Sequence, residues 1–158
     1  MRRYVITAIK ISFVVYLSIL FIILFVRHRG VWWSDMTIWE YAMMHMNLIP
    51  FKTIGGYVDA IVNQTINLNI PLENLLGNLL MFLPMGIYIP FFYEKVNTVR
   101  KMMLSMLPVM LFIEIGQFVT KRGSFDIDDF LLNMFGAVIG YLIWNSRFMQ
   151  RIAERVEE

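Results

Sequence analysis

Glu114, Gln117, Arg122, Asp126, Asp128, Asp129 and Asn133 fall in one short stretch between two long apolar runs. At or inside the edge of a hydrocarbon layer, an ionisable side chain is costly unless it is paired, which makes such a stretch a functional candidate by default. Three kinds of chemistry suit these residue types. The acids and Arg122 could satisfy one another while Gln117 and the asparagines serve backbone groups freed at prolines, which is a purely structural knot. A polar ligand could be held instead, with Arg122 and Lys52 offered to an anion and the Asn and Gln side chains to amides. Glu114, Asp126, Asp128 and Asp129 could also hold a hard divalent cation through oxygen, or supply a carboxylate base for hydrolysis or group transfer on a lipid.

The enzymatic reading has the least local support. The Asp126-Ile127-Asp128-Asp129 run lacks the spacing and glycine of an EF-hand loop, there is no Gly-x-Ser-x-Gly elbow, and no histidine falls in the stretch. Ser124 has no imidazole beside it. Asp126, Asp128 and Asp129 therefore stand as weaker metal candidates, no catalytic residue is assigned and no cofactor is implied. Zero cysteines exclude disulfides, thiolate nucleophiles and cysteine-ligated zinc. His28, between Arg27 and Arg29, reads as a solvated interfacial residue.

The elements that must position these groups follow from composition. Of 158 residues, 58% are hydrophobic and 16% charged, far more apolar side chain than one soluble core could bury. This is an all-α integral membrane protein, one domain over residues 1–158. A net charge of +2 with no basic arm interleaved with aromatics gives nucleic-acid binding no support.

Tyr4 to Val26 is an apolar run of 23 residues carrying one charge, Lys10, whose stem can snorkel to the headgroups. A signal peptide is the competing reading, but the run is too long and no small-x-small cleavage site follows. Further spans are expected at 72–93, 102–120 and 130–146, with Pro84 predicting a kink in the second and Pro108 a bend in the third. Residues 30–71 are too polar to span. Met36, Trp39, Met43 and Met46 recur at helical spacing behind Ser34, and Trp32 and Trp33 suit the headgroup level, so an interfacial helix is expected. Pro50 ends it, Gly55-Gly56 adds a turn, and Tyr57, Ile61, Thr65 and Leu68 predict a second amphipathic helix, with a re-entrant path as the alternative. The fold class is thus a four-transmembrane-helix bundle with interfacial or re-entrant helices in the first outer loop.

Orientation follows from Lys and Arg placement. With the N-terminus inside, Arg2, Arg3, Lys10, Lys95, Arg100, Lys101, Arg147, Arg151 and Arg155 lie inside, against Arg27, Arg29, Lys52, Lys121 and Arg122 outside. That imbalance places both termini in the cytoplasm. All the polar groups named above then converge on the outer side, joined by Asn78, which shares a helix face with Asn74. Glu114, twelve residues beyond Met102, lies roughly 18 Å into a core about 30 Å thick. Asp126, Asp129, Asn133, Gly136 and Gly140 share one stripe, whose glycines suit close helix packing. A helix end near Thr120 would let Arg122 fold back and pair with Glu114.

The ordered set Asn47-Leu48-Ile49-Pro50-Phe51, Asn74-Leu75-Leu76-Gly77-Asn78, Phe82-Leu83-Pro84-Met85-Gly86, Glu114-x-x-Gln117 and Arg122 through Asp126, Asp128, Asp129, Asn133, Gly136 and Gly140 resembles the VanZ-like family over about Met46 to Leu142. The resemblance implies a bacterial plasma-membrane protein and an association with resistance to the glycopeptide teicoplanin; it supplies no mechanism. The expected partners are membrane lipids and, at the outer leaflet, a lipid headgroup, a cell-wall precursor or a lipidated glycopeptide. The candidate ligand-binding set is Glu114, Gln117, Arg122, Asp126, Asp129, Asn133, Asn78, Asn47 and Lys52.

Overall fold

The structure, a computed structural model, describes residues 2–26 and 35–157. The anchor expected at Arg27-His28-Arg29, the headgroup-level Trp32 and Trp33, and the cap expected at Ser34 lie outside these residues. Four helical stretches, Arg3–Val26, Asn69–Phe92, Val99–Val119 and Ile127–Trp144, are long and apolar enough to cross a membrane. The first comprises α1 (Arg2–Phe21) and a π-helical turn (Ile22–Val26); the others are α4, α5 and α6. Short helices α2 (Ile38–His45) and α3 (Lys52–Val62) lie between the first two spans, and α7 (Arg147–Glu157) follows the last.

Spans two to four each begin three residues earlier than their apolar runs suggest. In α5 and α6 the polar first turn belongs to the helix because its free N–H groups are capped. Thr98 Oγ1 accepts from Lys101 N at 3.3 Å on α5, and Asp126 Oδ1 accepts from Asp128 N at 2.9 Å on α6. The earlier start lengthens the fourth span to 18 residues, or about 27 Å. The second span runs as one helix through Pro84 and Pro90.

The loop between the first two spans differs from expectation in three respects. Thr37 caps α2 in a reciprocal box with Glu40, which leaves Met36 outside the helix, and Met46 at its other end is already extended. Gly55 and Gly56 form no turn; they lie inside α3, which starts at Lys52 and ends at Val62, short of Leu68. Finally, Met46–Asn47 (β1) and Phe125–Asp126 (β2) pair in parallel, with Met46 opposite Phe125 and Asn47 opposite Asp126. This bridge straps the first loop to the α5–α6 connection.

The bundle is built on α4 and α6, which run in the same direction and touch along their length. Asn78 meets Asp129, Leu79 lies against Gly136, and Leu83 lies against Gly140. A Cβ on Gly136, Gly140 or Gly86 would come within 2.0 Å of a carbonyl oxygen on the facing helix, so hydrogen is all that fits there. α1 lies along the outside of this pair and antiparallel to α4, held by Tyr16 Oη donating to Met81 O at 2.7 Å and a Ser12–Tyr88 hydroxyl contact at 3.0 Å. Met102, Met106 and Met110, a single i, i+4 stripe on α5, are buried with Phe82, Met85, Ala137 and Tyr141 in the core.

Candidate functional site

The methionine stripe of α5 has one further member. Four residues past Met110 comes Glu114, 4% exposed, so the core face of a membrane helix ends in a carboxyl group. Around it the two-strand bridge and the N-terminus of α3 form the end of the bundle where α1 and α5 finish and α4 and α6 begin.

Two acids of the 126–129 run are consumed by architecture. Asp128 is fully buried: its Oδ1 accepts from Phe51 N at 2.5 Å, and its Oδ2 accepts from Thr53 N at 2.8 Å and Ile54 N at 3.1 Å. It therefore caps α3 from another part of the chain, where an acid favours the positive helix end. Phe51 itself has φ 65°, a strained conformation for a bulky residue that this hydrogen bond helps hold. Asp126 caps its own helix and takes two more donors, Asn47 Nδ2 at 3.1 Å and Thr53 Oγ1 at 2.5 Å. Asn47 also donates to Thr53 Oγ1 at 3.1 Å.

A second group of polar side chains lies behind this latch. Asp129 Oδ1 accepts from Asn78 Nδ2 at 2.5 Å, and the charged neighbours acting on Glu114 are Asp129 and Asp126. Asn133, 4% exposed, sits one turn further along α6 than Asp129. Glu114 Oε2, Asn133 Oδ1 and Asn74 Oδ1 are buried without a hydrogen-bond partner. Since buried polar atoms are nearly always paired, three such atoms at one end of a bundle call for an explanation. Tyr57 on α3 is near both Asp126 and Asp129; burial and then these charges push its phenol pKa up, keeping it a neutral donor.

The remaining candidates point elsewhere. Gln117 Nε2 donates to Leu24 O at 3.0 Å and Arg122 Nη1 donates to Phe25 O, so both serve carbonyls at the end of the first span. The expected Glu114–Arg122 ion pair does not form: the chain after Val119 turns through Lys121, at φ 54°, and carries Arg122 toward α1. Lys52 is exposed at the start of α3. Among the described residues no three His, Asp or Glu side chains are grouped to hold a metal ion, and the oxygens of Asp126 and Asp128 are taken up by Asn47, Thr53 and main-chain donors. Thr53, Tyr57 and Asn74 were not in the expected set. Asn74 had a signal in its four-residue spacing from Asn78; Thr53 and Tyr57 reach the site only through the capping of α3 by Asp128.

Two grooves lie at the opposite end of the bundle and contain none of these residues. One, about 620 Å³, is lined by Lys10, Glu94, Asn97, Trp144 and Gln150 among others; the other, about 290 Å³, is largely apolar between α1, α4 and α7.

Comparison with known proteins agrees with this architecture as far as it reaches. Protein VanZ of Enterococcus faecium is 23% identical over 127 residues, covering 78% of this chain and 69% of that protein. No solved structure matches the chain. A family model described as VanZ/LLP1 matches residues 13–150, nearly the whole of the four-span bundle, and the chain belongs to the VanZ/LLP1 family.

Proposed function

We propose that this chain is a VanZ-type protein of the bacterial plasma membrane, associated with teicoplanin-type glycopeptide resistance, whose outer-end polar site holds the polar group of an amphiphile at the outer leaflet. The lipid headgroup, the cell-wall precursor and the lipidated glycopeptide share that description. The observation that carries the reading is the group of buried, unpartnered oxygens on Glu114, Asn74 and Asn133 beside the Asp129–Asn78 pair. A purely structural knot would have closed on itself, as Asp126 and Asp128 do.

Expression in a susceptible Gram-positive host should raise the teicoplanin concentration needed to stop growth. Asn78→Ala and Asp129→Asn should each remove most of that increase at unchanged membrane abundance, since the first removes the donor that sets the Asp129 carboxyl and the second removes its charge while keeping an acceptor oxygen. Full protection from both variants would sink the reading.

The same reading requires the site to face outward. A topology reporter after Glu158 is expected to report cytoplasm and one at Gly123 the outside, in keeping with the excess of Lys and Arg at the opposite end. A cytoplasmic signal at Gly123 would place the site on the wrong leaflet.

A further inference from the structure

All three unpartnered atoms are oxygens, which only accept when Glu114 is ionised. Among the described residues, the cations of this end are committed or exposed. Arg122 bonds the Phe25 carbonyl, Lys121 bonds the Met36 carbonyl, and Lys52 is exposed. The charges acting on Glu114 are therefore both acidic, Asp129 and Asp126, and Asp126 already takes three donors. Two neighbouring buried carboxyls with no cation between them among the described residues cannot both ionise without severe repulsion. An incoming positive charge relieves that repulsion, whereas an incoming phosphate adds to it.

From this we infer that Glu114 and Asp129, with Asn74 and Asn133, form a receptor for one primary ammonium group, carried by an aminolipid headgroup or by a free amine. An ammonium offers three N–H donors to three unpartnered oxygens. A hard divalent cation such as calcium or magnesium takes six or more oxygens, and the Asp126 and Asp128 oxygens that could complete such a shell are engaged by Asn47, Thr53 and main-chain N–H groups. A quaternary ammonium has no N–H to donate. The inference rests on reading this end of the bundle as a headgroup site, and it reverses the anion preference that Arg122 and Lys52 suggest from sequence.

The test uses the full chain in phosphatidylcholine nanodiscs doped with equal minor fractions of phosphatidylethanolamine and phosphatidylglycerol. Retained lipid is measured by mass spectrometry, and unfolding temperature is followed in separate discs of each composition. Phosphatidylethanolamine is expected to be enriched and to raise the unfolding temperature. Glu114→Gln, which keeps the shape and removes the charge, should cut that enrichment roughly tenfold or more, as expected for a charge-assisted hydrogen bond. A parallel arm in detergent compares ethylammonium chloride with sodium chloride at equal ionic strength. Stabilisation by ethylammonium alone assigns the same ammonium chemistry to a soluble amine.

Equal or greater enrichment of phosphatidylglycerol would overturn the ammonium assignment while leaving a headgroup site standing. So would equal stabilisation by sodium chloride, or unchanged enrichment in Glu114→Gln. If no lipid is enriched and neither salt stabilises the chain, both this inference and the headgroup reading fail. The wild-type lipid arm decides these cases even where the variant does not fold.

Discussion

Gly140→Leu is expected to yield almost no folded protein after detergent extraction. A Cβ at position 140 would stand 2.0 Å from the Leu83 carbonyl oxygen and 3.1 Å from Gly86 Cα, and both neighbours are backbone. Flexible side chains can give way to an added carbon, but two helices in contact can only separate. Separation would strip the contacts of the whole α4–α6 seam, because Leu79 O stands equally close to position 136 and Ala137 O to position 86. Overpacking a well-filled core costs about 1–3 kcal/mol, and a clash with backbone on both sides belongs at or above the top of that range. Gly55→Leu is the control, since nothing lies within 4 Å of a Cβ there. Monodisperse elution and unfolding temperature after extraction provide the measurement. A Gly140→Leu protein as stable as the parent would mean that α4 and α6 are not in contact at this seam.

The glycine seam was legible in the sequence because spacing carries it. Gly136 and Gly140 lie four apart on a stripe with Asn133 and Asp129, and a membrane helix that keeps small residues in register is built for close approach. The spans were legible for a related reason, since a hydrocarbon layer imposes a minimum apolar length. Their first turns were not, because caps such as Asp126 and Thr98 are polar and look like loop until the main-chain donors they serve are in place. Glu114 was visible as a misplaced charge, and its i, i+4 continuation from Met102, Met106 and Met110 shows why it must face inward.

What spacing could not reveal is pairing across the chain. Arg122 is eight residues from Glu114, and proximity in sequence suggested an ion pair. The partner it takes, the Phe25 carbonyl, lies almost a hundred residues away and carries no side-chain signal. The parallel bridge of Met46–Asn47 with Phe125–Asp126 is equally silent, being two residues long on each side. The acids at 126, 128 and 129 share one type and separate into three jobs only when their donors are known: Asp126 closes α6 and the latch, Asp128 caps α3, and Asp129 faces Asn78.

That division makes Asp128 the acid whose loss should be felt most by the first loop. In Asp128→Ala the main-chain N–H groups of Phe51, Thr53 and Ile54 lose their acceptor in a site where the carboxyl was fully buried. Each stranded donor costs about 1–3 kcal/mol, and the left-handed Phe51 loses the contact that offsets its strain, so a loss of at least about 3 kcal/mol is expected. The loss should be local. The latch holds α3, while the α4–α6 seam and the methionine core do not depend on it. Hydrogen exchange should therefore quicken across Lys52–Val62 and stay slow in α4, α5 and α6. Asp128→Asn should behave similarly, because its amide turns a donor toward donors. Asp59→Ala, in the same helix but exposed, should change little. With α3 released, Tyr57 leaves the neighbourhood of Asp126 and Asp129, and the unpartnered oxygens on α4, α5 and α6 become open to water that can satisfy them. A site whose selectivity depends on buried, unpartnered acceptors would then lose its ligand preference while its own side chains remained intact. Unchanged α3 exchange in Asp128→Asn would show that the helix is held by other contacts and that the carboxyl is free for a different role.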